Sequence, residues 1–427
     1  MASETDNTKC ADSPKNAEIT HKYDPPESST SVGWTHACQV TLANEANPFV
    51  TENGEILAPL VVEYETYGEL APDRSNVILI AHALSGDAHV AGWDADALQT
   101  GRTWRLTRPG WWDDIVGPDK PMDTKKYFFV CANIIGSCYG TTGPESINPA
   151  TGKPYGLDFP IVTVGDWVKM EAMLLDYLGI ETLYAIVGGS LGGQQALEFS
   201  LAYPDRVKKC IILASGPKLP AQGLGFNAVA RYCIQNDPQF HGGNYYGTGE
   251  NPQSGLAAAR MLAHITYLSG KGMDTKFGRR WQEDIKTRRK SFGIEFAVES
   301  YLNHQGSSFV KRFDADSYLY IIRAMDYYDA AASWGDGDLV KACSRFKAQV
   351  MIVTFSSDWL YPPEECKPLV TALMRNKIPV TYVKVESSYG HDAFLVEVDK
   401  VGRLLRAFLQ SQEPDDSAVQ PTKEEQP

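Results

Sequence analysis

Apolar residues recur along this chain in two rhythms. Runs that are apolar almost throughout, at 77–83, 127–135, 184–189, 209–215 and 348–355, have the length and β-branched content of strands buried on both faces of a parallel sheet. A shorter run at 380–385 completes the series, and two earlier ones, 37–42 and 59–67, alternate apolar with polar as an antiparallel edge does. Helical spacing takes over at 164–179, after residue 190, and from 394 to 409. Strands separated by helices predict an α/β protein with one mostly parallel, doubly wound, eight-stranded sheet. The stretch 218–337 is mostly helical in pattern and interrupts the series before the seventh strand. Inserted at the carboxyl end of a sheet, it is expected to form a helical lid over the site, on a core made of 36–217 and 338–410. The polar flank 1–35 lacks a periodic apolar face and is expected to be disordered, and 411–427 is read as a polar, acidic tail. No internal repeat is found.

The chemistry centres on 184–198. A β-prone run ends in Gly188-Gly189-Ser190-Leu191-Gly192-Gly193 and continues as a helix. Gly188, Ser190 and Gly192 fill the G-x-S-x-G positions of a nucleophile elbow. A turn this sharp forces the serine into strained dihedrals and brings backbone so close that a nearby Cβ would clash. The dinucleotide spacing and the P-loop lysine that would mark a phosphate-binding turn are both missing. A serine nucleophile needs a base, and the base needs an orienting acid, here expected in the chain order Ser, Asp, His. Of the downstream histidines, His391 lies in a Gly-His-Asp turn just after the last strand, and Asp358 follows the seventh strand in a loop bounded by prolines. His391 is the expected base and Asp358 its orienting acid. The oxyanion donors are expected to be the backbone N–H of Leu191 and of Leu84, the latter in the loop after the third strand.

Charge and composition narrow the partners. A net charge of −13 argues against nucleic acid and anionic membranes as partners. No apolar run is long enough to span a bilayer, and the first residues lack the pattern of a signal peptide, so a cytoplasmic location is expected. The 8 cysteines are scattered without C-x-x-C pairs and read as thiols rather than a zinc site or a disulfide frame. His82 and His89 lack companion ligands, and no metal is expected.

Several further segments are informative together. The elbow, His82-Ala-Leu-Ser-Gly-Asp87, the stretches 143–149 and 152–156, and Gly390-His-Asp-Ala-Phe-Leu395 resemble the homoserine O-acetyltransferases, as do 259–268 and 312–319 within the insertion. The resemblance runs from about 36 to 410. It implies an α/β-hydrolase fold and a ping-pong transfer of acetyl from acetyl-CoA, through Ser190, to the side-chain hydroxyl of L-homoserine, the entry to methionine synthesis. It further implies that Arg260, Tyr267 and Asp392 bind the amino acid, that acetyl-CoA is a co-substrate with no cofactor held, and that the protein is a homodimer. Local physics agrees in part: Arg260, His264 and Tyr267 recur at i, i+4 and i+7 as one polar stripe on an apolar helix. On spacing alone, an internal ion pair for Arg260 and a helix N-cap for Asp392 stay open, and His264 reads as structural. The residues leave open whether acetyl or succinyl is carried. A serine O-acyltransferase and a serine hydrolase of the same scaffold stay in view as well.

Overall fold

The computed structural model describes residues 28–282 and 292–412. Its central sheet contains β1 (Cys38–Ala43), β2 (Leu60–Tyr67), β3 (Val77–Ala81), β4 (Phe128–Ala132), β5 (Ala185–Gly189), β6 (Lys209–Leu213), β7 (Gln349–Phe355) and β8 (Val380–Val385). In space they run β1-β2-β4-β3-β5-β6-β7-β8, and only β2 is antiparallel to its neighbours. Alternate residues of the all-buried strands feed two separate cores, as the period of a strand requires. Val77 and Leu79 face one and Ile78 and Ile80 the other, and Ile212 and Ile211 divide in the same way.

The helices, in chain order, are α1 (Val164–Tyr177), α2 (Leu191–Ala202), α3 (Ala221–Gln235), α4 (Gln253–Tyr267), α5 (Gly270–Lys276), α6 (Ala297–Phe309), α7 (Ala315–Tyr327), α8 (Ala330–Gly335), α9 (Leu339–Cys343), α10 (Pro363–Arg375), α11 (Ala393–Val396) and α12 (Val398–Gln410). Trp167 and Leu174 of α1, Leu197 and Phe199 of α2, and Leu369 of α10 fill the first core, and α12 closes the second with Val401, Leu405 and Phe408. A capping box sets the start of α1, with Thr163 and Asp166 satisfying each other's backbone N–H groups. The insertion carries α3 to α8, and Leu256, Phe309 and Tyr318 from it join the first core. Buried Lys209 of β6 donates from Nζ to the carbonyls of Phe408 (2.9 Å), Leu409 (3.2 Å) and Ser411 (2.6 Å), a C-cap for α12 supplied by a strand.

The structure departs from three expectations. Residues 28–35 are described, and Trp34–Thr35 pairs in parallel with Trp93–Asp94, so that part of the first flank is not a free polar tail. The rest of that flank, and the second from 413 onward, lie outside the described residues. Cys38 is disulfide-bonded, a correction to the reading of free thiols throughout. Finally, β2 alternates in sequence but not in burial, because Glu63 and Glu65 are both buried. Arg102 meets Glu63 in a two-pronged ion pair (2.6 and 3.0 Å), and His89 meets Glu65 at 3.2 Å.

Candidate active site

At the junction of β5 and α2, Ser190 has φ 56° and ψ −122°, a left-handed conformation that costs a side chain about 1–3 kcal/mol. The positions two residues before and two after it must be glycine. A Cβ on Gly188 would run into the carbonyl of Gly192, and one on Gly192 into the carbonyl of Ala81 at the end of β3. Close packing of β3, β5 and α2 therefore holds the strained serine in place.

His391 Nε2 lies 2.8 Å from Ser190 Oγ, and its Nδ1 lies 2.8 Å from Asp358 Oδ2. The other oxygen of Asp358 accepts from the backbone N–H of Leu360 (3.0 Å) and Tyr361 (2.9 Å), which fixes the carboxylate as the chain leaves β7. All three side chains are buried. Burial alone would push the imidazole toward the neutral form, but the charge of Asp358, its hydrogen bond and the nearby Asp392 outweigh burial and raise the pKa of His391 above its ordinary value. The ring is boxed by Tyr361 (centroids 5.7 Å apart, nearly parallel), Tyr267 (5.9 Å) and Phe394 (5.9 Å). Ser190, with a base on one side and the acid behind it, has the arrangement needed for nucleophilic acyl transfer.

Leu191 opens α2, where backbone N–H groups lack acceptors within the helix. Leu84 lies in the loop after β3, and that loop is tied down from several sides. Gln195 of α2 donates to the carbonyl of His82 at 3.1 Å, Arg312 to that of Ser85 at 3.2 Å, and Asn133 accepts from the N–H of Ala88 at 2.7 Å. Asp87 at its far end binds Arg105 at 2.5 Å, and Arg105 also holds Asp94 at 2.7 Å. Sequence reasoning passed over these buried ions because the partners come from different segments of the chain.

A cavity of about 130 Å³ opens over Ser190 and His391. Leu84, Arg260, Tyr267 and Asp392 all line it, so the structure brings the expected substrate-binding residues to the expected nucleophile. Arg260 donates to Ser85 Oγ at 3.3 Å, packs 4.5 Å above the Phe309 ring, and keeps its Nε without a partner. Asp392 stands just before α11 but makes no capping bond. Burial raises its pKa to about 6 despite the opposing charges of His391 and Arg260. A buried guanidinium with a free N–H and a carboxylate with free oxygens, both facing one small cavity, suit a zwitterion. His264, read from sequence as structural, lines the same cavity. Its Nδ1 meets the Tyr301 hydroxyl at 3.0 Å, its Nε2 is unpartnered, and burial together with Arg260 lowers its pKa to about 3, so it stays neutral. Its place on the polar stripe with Arg260 and Tyr267 was the available signal. Among the described residues, no three His, Cys, Asp or Glu side chains are grouped to hold a metal ion, and no helix is long and apolar enough to cross a membrane.

Known proteins resemble this chain over most of its length. Residues 76–398 match the family model for the alpha/beta hydrolase fold. The chain is 49% identical over 362 residues to a homoserine O-succinyltransferase of Acidithiobacillus ferrooxidans, covering 85% of this chain and 92% of that one. It is 49% identical over 359 residues to a homoserine O-acetyltransferase of Methanosphaera stadtmanae, covering 84% and 70% respectively. Among solved structures, a homoserine O-acetyltransferase from Bacillus anthracis superposes with a TM-score of 0.78 at 28% identity, over 88% of this chain and 98% of that one. With the fold, the elbow and similarity over most of its length in agreement, the chain belongs to the homoserine O-acetyltransferase and O-succinyltransferase family of α/β hydrolases.

Proposed function

We propose that the protein transfers the acetyl group of acetyl-CoA to the side-chain hydroxyl of L-homoserine, giving O-acetyl-L-homoserine for methionine synthesis. The observation that carries this reading is the cavity in which Arg260 and Asp392, of opposite charge, flank the Ser190 and His391 pair. His391 takes the proton of Ser190 as its Oγ attacks the thioester carbonyl, and the N–H groups of Leu84 and Leu191 receive the developing oxyanion. The CoA thiolate leaves with the proton held by His391, and Ser190 carries the acetyl group. Homoserine then enters, with its carboxylate on Arg260 and its ammonium on Asp392, and Tyr267 beside them. His391 removes the hydroxyl proton, the new ester forms, and Ser190 is regenerated. Asp358 holds the imidazole in the working tautomer and stabilises its charged form throughout.

Acetyl is favoured as the cargo by a second cavity that also reaches Ser190. It holds about 40 Å³ and is lined mostly by apolar groups, among them Leu219, Phe226, Ala259 and Leu360, with no cationic side chain. A succinyl chain would leave its free carboxylate there unpaired, which is costly in a buried site. The succinyl reading is the alternative, because relatives named for succinyl transfer are as similar as those named for acetyl transfer. Release of CoA from acetyl-CoA and from succinyl-CoA, each with and without L-homoserine and with L-serine as competitor, separates the readings. Homoserine-dependent release from acetyl-CoA is expected. Preference for succinyl-CoA would overturn the choice of cargo, and release that ignores every acceptor would mean a hydrolase.

On this reading the enzyme is cytoplasmic, holds no metal or cofactor, and works as a homodimer. An apolar face on α3 supports the dimer: Leu224, Val229 and Tyr232 are exposed, with Ala221, Gly225 and Ala228 exposed among them. The lid reading of 218–337 rests on Arg260 and Tyr267 reaching the Ser190 cavity from that insertion.

A further inference from the structure

A second, larger cleft of about 540 Å³ begins where the catalytic cavity ends, and Ser85 lines both. Four cationic side chains line it: Arg105, Arg108, Lys311 and Arg312. The charge of Arg105 is neutralised by Asp87 and Asp94. Arg312 donates to the Ser85 carbonyl and to the Tyr139 hydroxyl (3.0 Å), both neutral groups, and so keeps its full charge. Arg108 and Lys311 are exposed, and among the described residues neither meets a carboxylate. Apart from Asp87, already held by Arg105, no acidic residue lines the cleft. The neighbouring cleft of about 600 Å³ is different, because it presents Glu145, Glu250 and Asp314 beside the same Lys311 and Arg312.

In a protein of net charge −13, a walled cleft that keeps three unneutralised cations is an electrostatic exception. Such a cleft concentrates anions against the sign of the whole molecule. We propose that it seats the phosphate-bearing end of the acyl-CoA, with Arg108 and Lys311 on the phosphates and the pantetheine arm passing Ser85 to reach Ser190. Arginine grips phosphate through paired N–H donors, and lysine contributes a point charge. The two small cavities at Ser190 then remain for the acyl group and the amino acid. This assignment rests on the acyl-CoA reading of the enzyme.

The test is the double variant Arg108→Ala/Lys311→Ala, whose two side chains are exposed and touch none of the catalytic groups. CoA binding is followed by calorimetry, and steady-state turnover is compared for acetyl-CoA and for S-acetylpantetheine, which lacks the phosphates. The cleft assignment requires CoA to bind about tenfold more weakly to the variant, as expected for losing two exposed ion pairs. The KM for acetyl-CoA should rise in step while kcat and the KM for S-acetylpantetheine hold. Unchanged CoA affinity, or equal damage with both donors, would overturn the phosphate seat. CoA binding by the wild type without transfer to homoserine would instead overturn the acyltransferase reading and leave the seat standing.

Discussion

Burial and charge pull His391 in opposite directions, and charge prevails. Its raised pKa sets the lower pH limit of the first half-reaction, because only the neutral imidazole can take the proton of Ser190. Asp392, with its pKa raised to about 6, must be ionised to hold an ammonium group, so the amino acid half-reaction has a second limit of its own. We expect acylation of Ser190, read as a burst of CoA without acceptor, to decline as pH falls through the value for His391. Capture of homoserine should decline further below about pH 6. In Asp392→Asn the KM for homoserine should rise by about a hundredfold, as for removal of one charge of a buried pair. The burst should persist in that variant, with its profile moved slightly to lower pH because Asp392 also raises the pKa of His391. A burst abolished in Asp392→Asn would show that the carboxylate serves acylation rather than the amino acid. Ser190, Asp358 and His391 were legible because each follows a recognisable strand end. His264 was not, since a histidine on an apolar helix reads equally as packing and as lining, and only the cavity distinguishes the two.

Helix α1 carries Glu171 among apolar side chains, with one carboxylate oxygen unpartnered. Burial raises its pKa from an ordinary 4.5 to about 8. A carboxyl group raised in the folded state binds its proton more tightly there than in the unfolded chain, so stability is lost as pH climbs from 4.5 through about 8. Glu171→Gln is therefore expected to melt higher than the wild type at about pH 9, by about 5 °C, with the gap closing near pH 4. A gap of the same size at both pH values would mean that the effect is packing and not ionisation. The sheet was readable at this scale, because β3 to β7 are apolar on both faces and leave no competing period. β2 was readable as a strand but not in its burial, since the partners of Glu63 and Glu65 come from the loop that follows β3. The two-residue pairing of Trp34–Thr35 with Trp93–Asp94 is too short to leave any period in the sequence.

For the whole molecule, the apolar face of α3 is the feature that solvent should not be left to cover. If a second copy covers it, Tyr232→Asp should convert the dimer to a monomer in light scattering after gel filtration, with Ser190 still acylated. A wild-type protein that is monomeric at micromolar concentration would dismiss the dimer, and a dimer that survives Tyr232→Asp would move its interface elsewhere.

The cavity over Ser190 also decides a race. Once acetylated, the serine ester can be opened by homoserine or by water, and water is always the more abundant competitor. A chamber of about 130 Å³ walled by Arg260, His264, Tyr267 and Phe394 has little room for mobile solvent beside a bound amino acid. Its walls come from α4 on one side and from the turn carrying His391 on the other. The same triad would serve an esterase equally well. What makes it a transferase is the ratio of esters formed to esters wasted, a yield set by the fit of one helix against one turn.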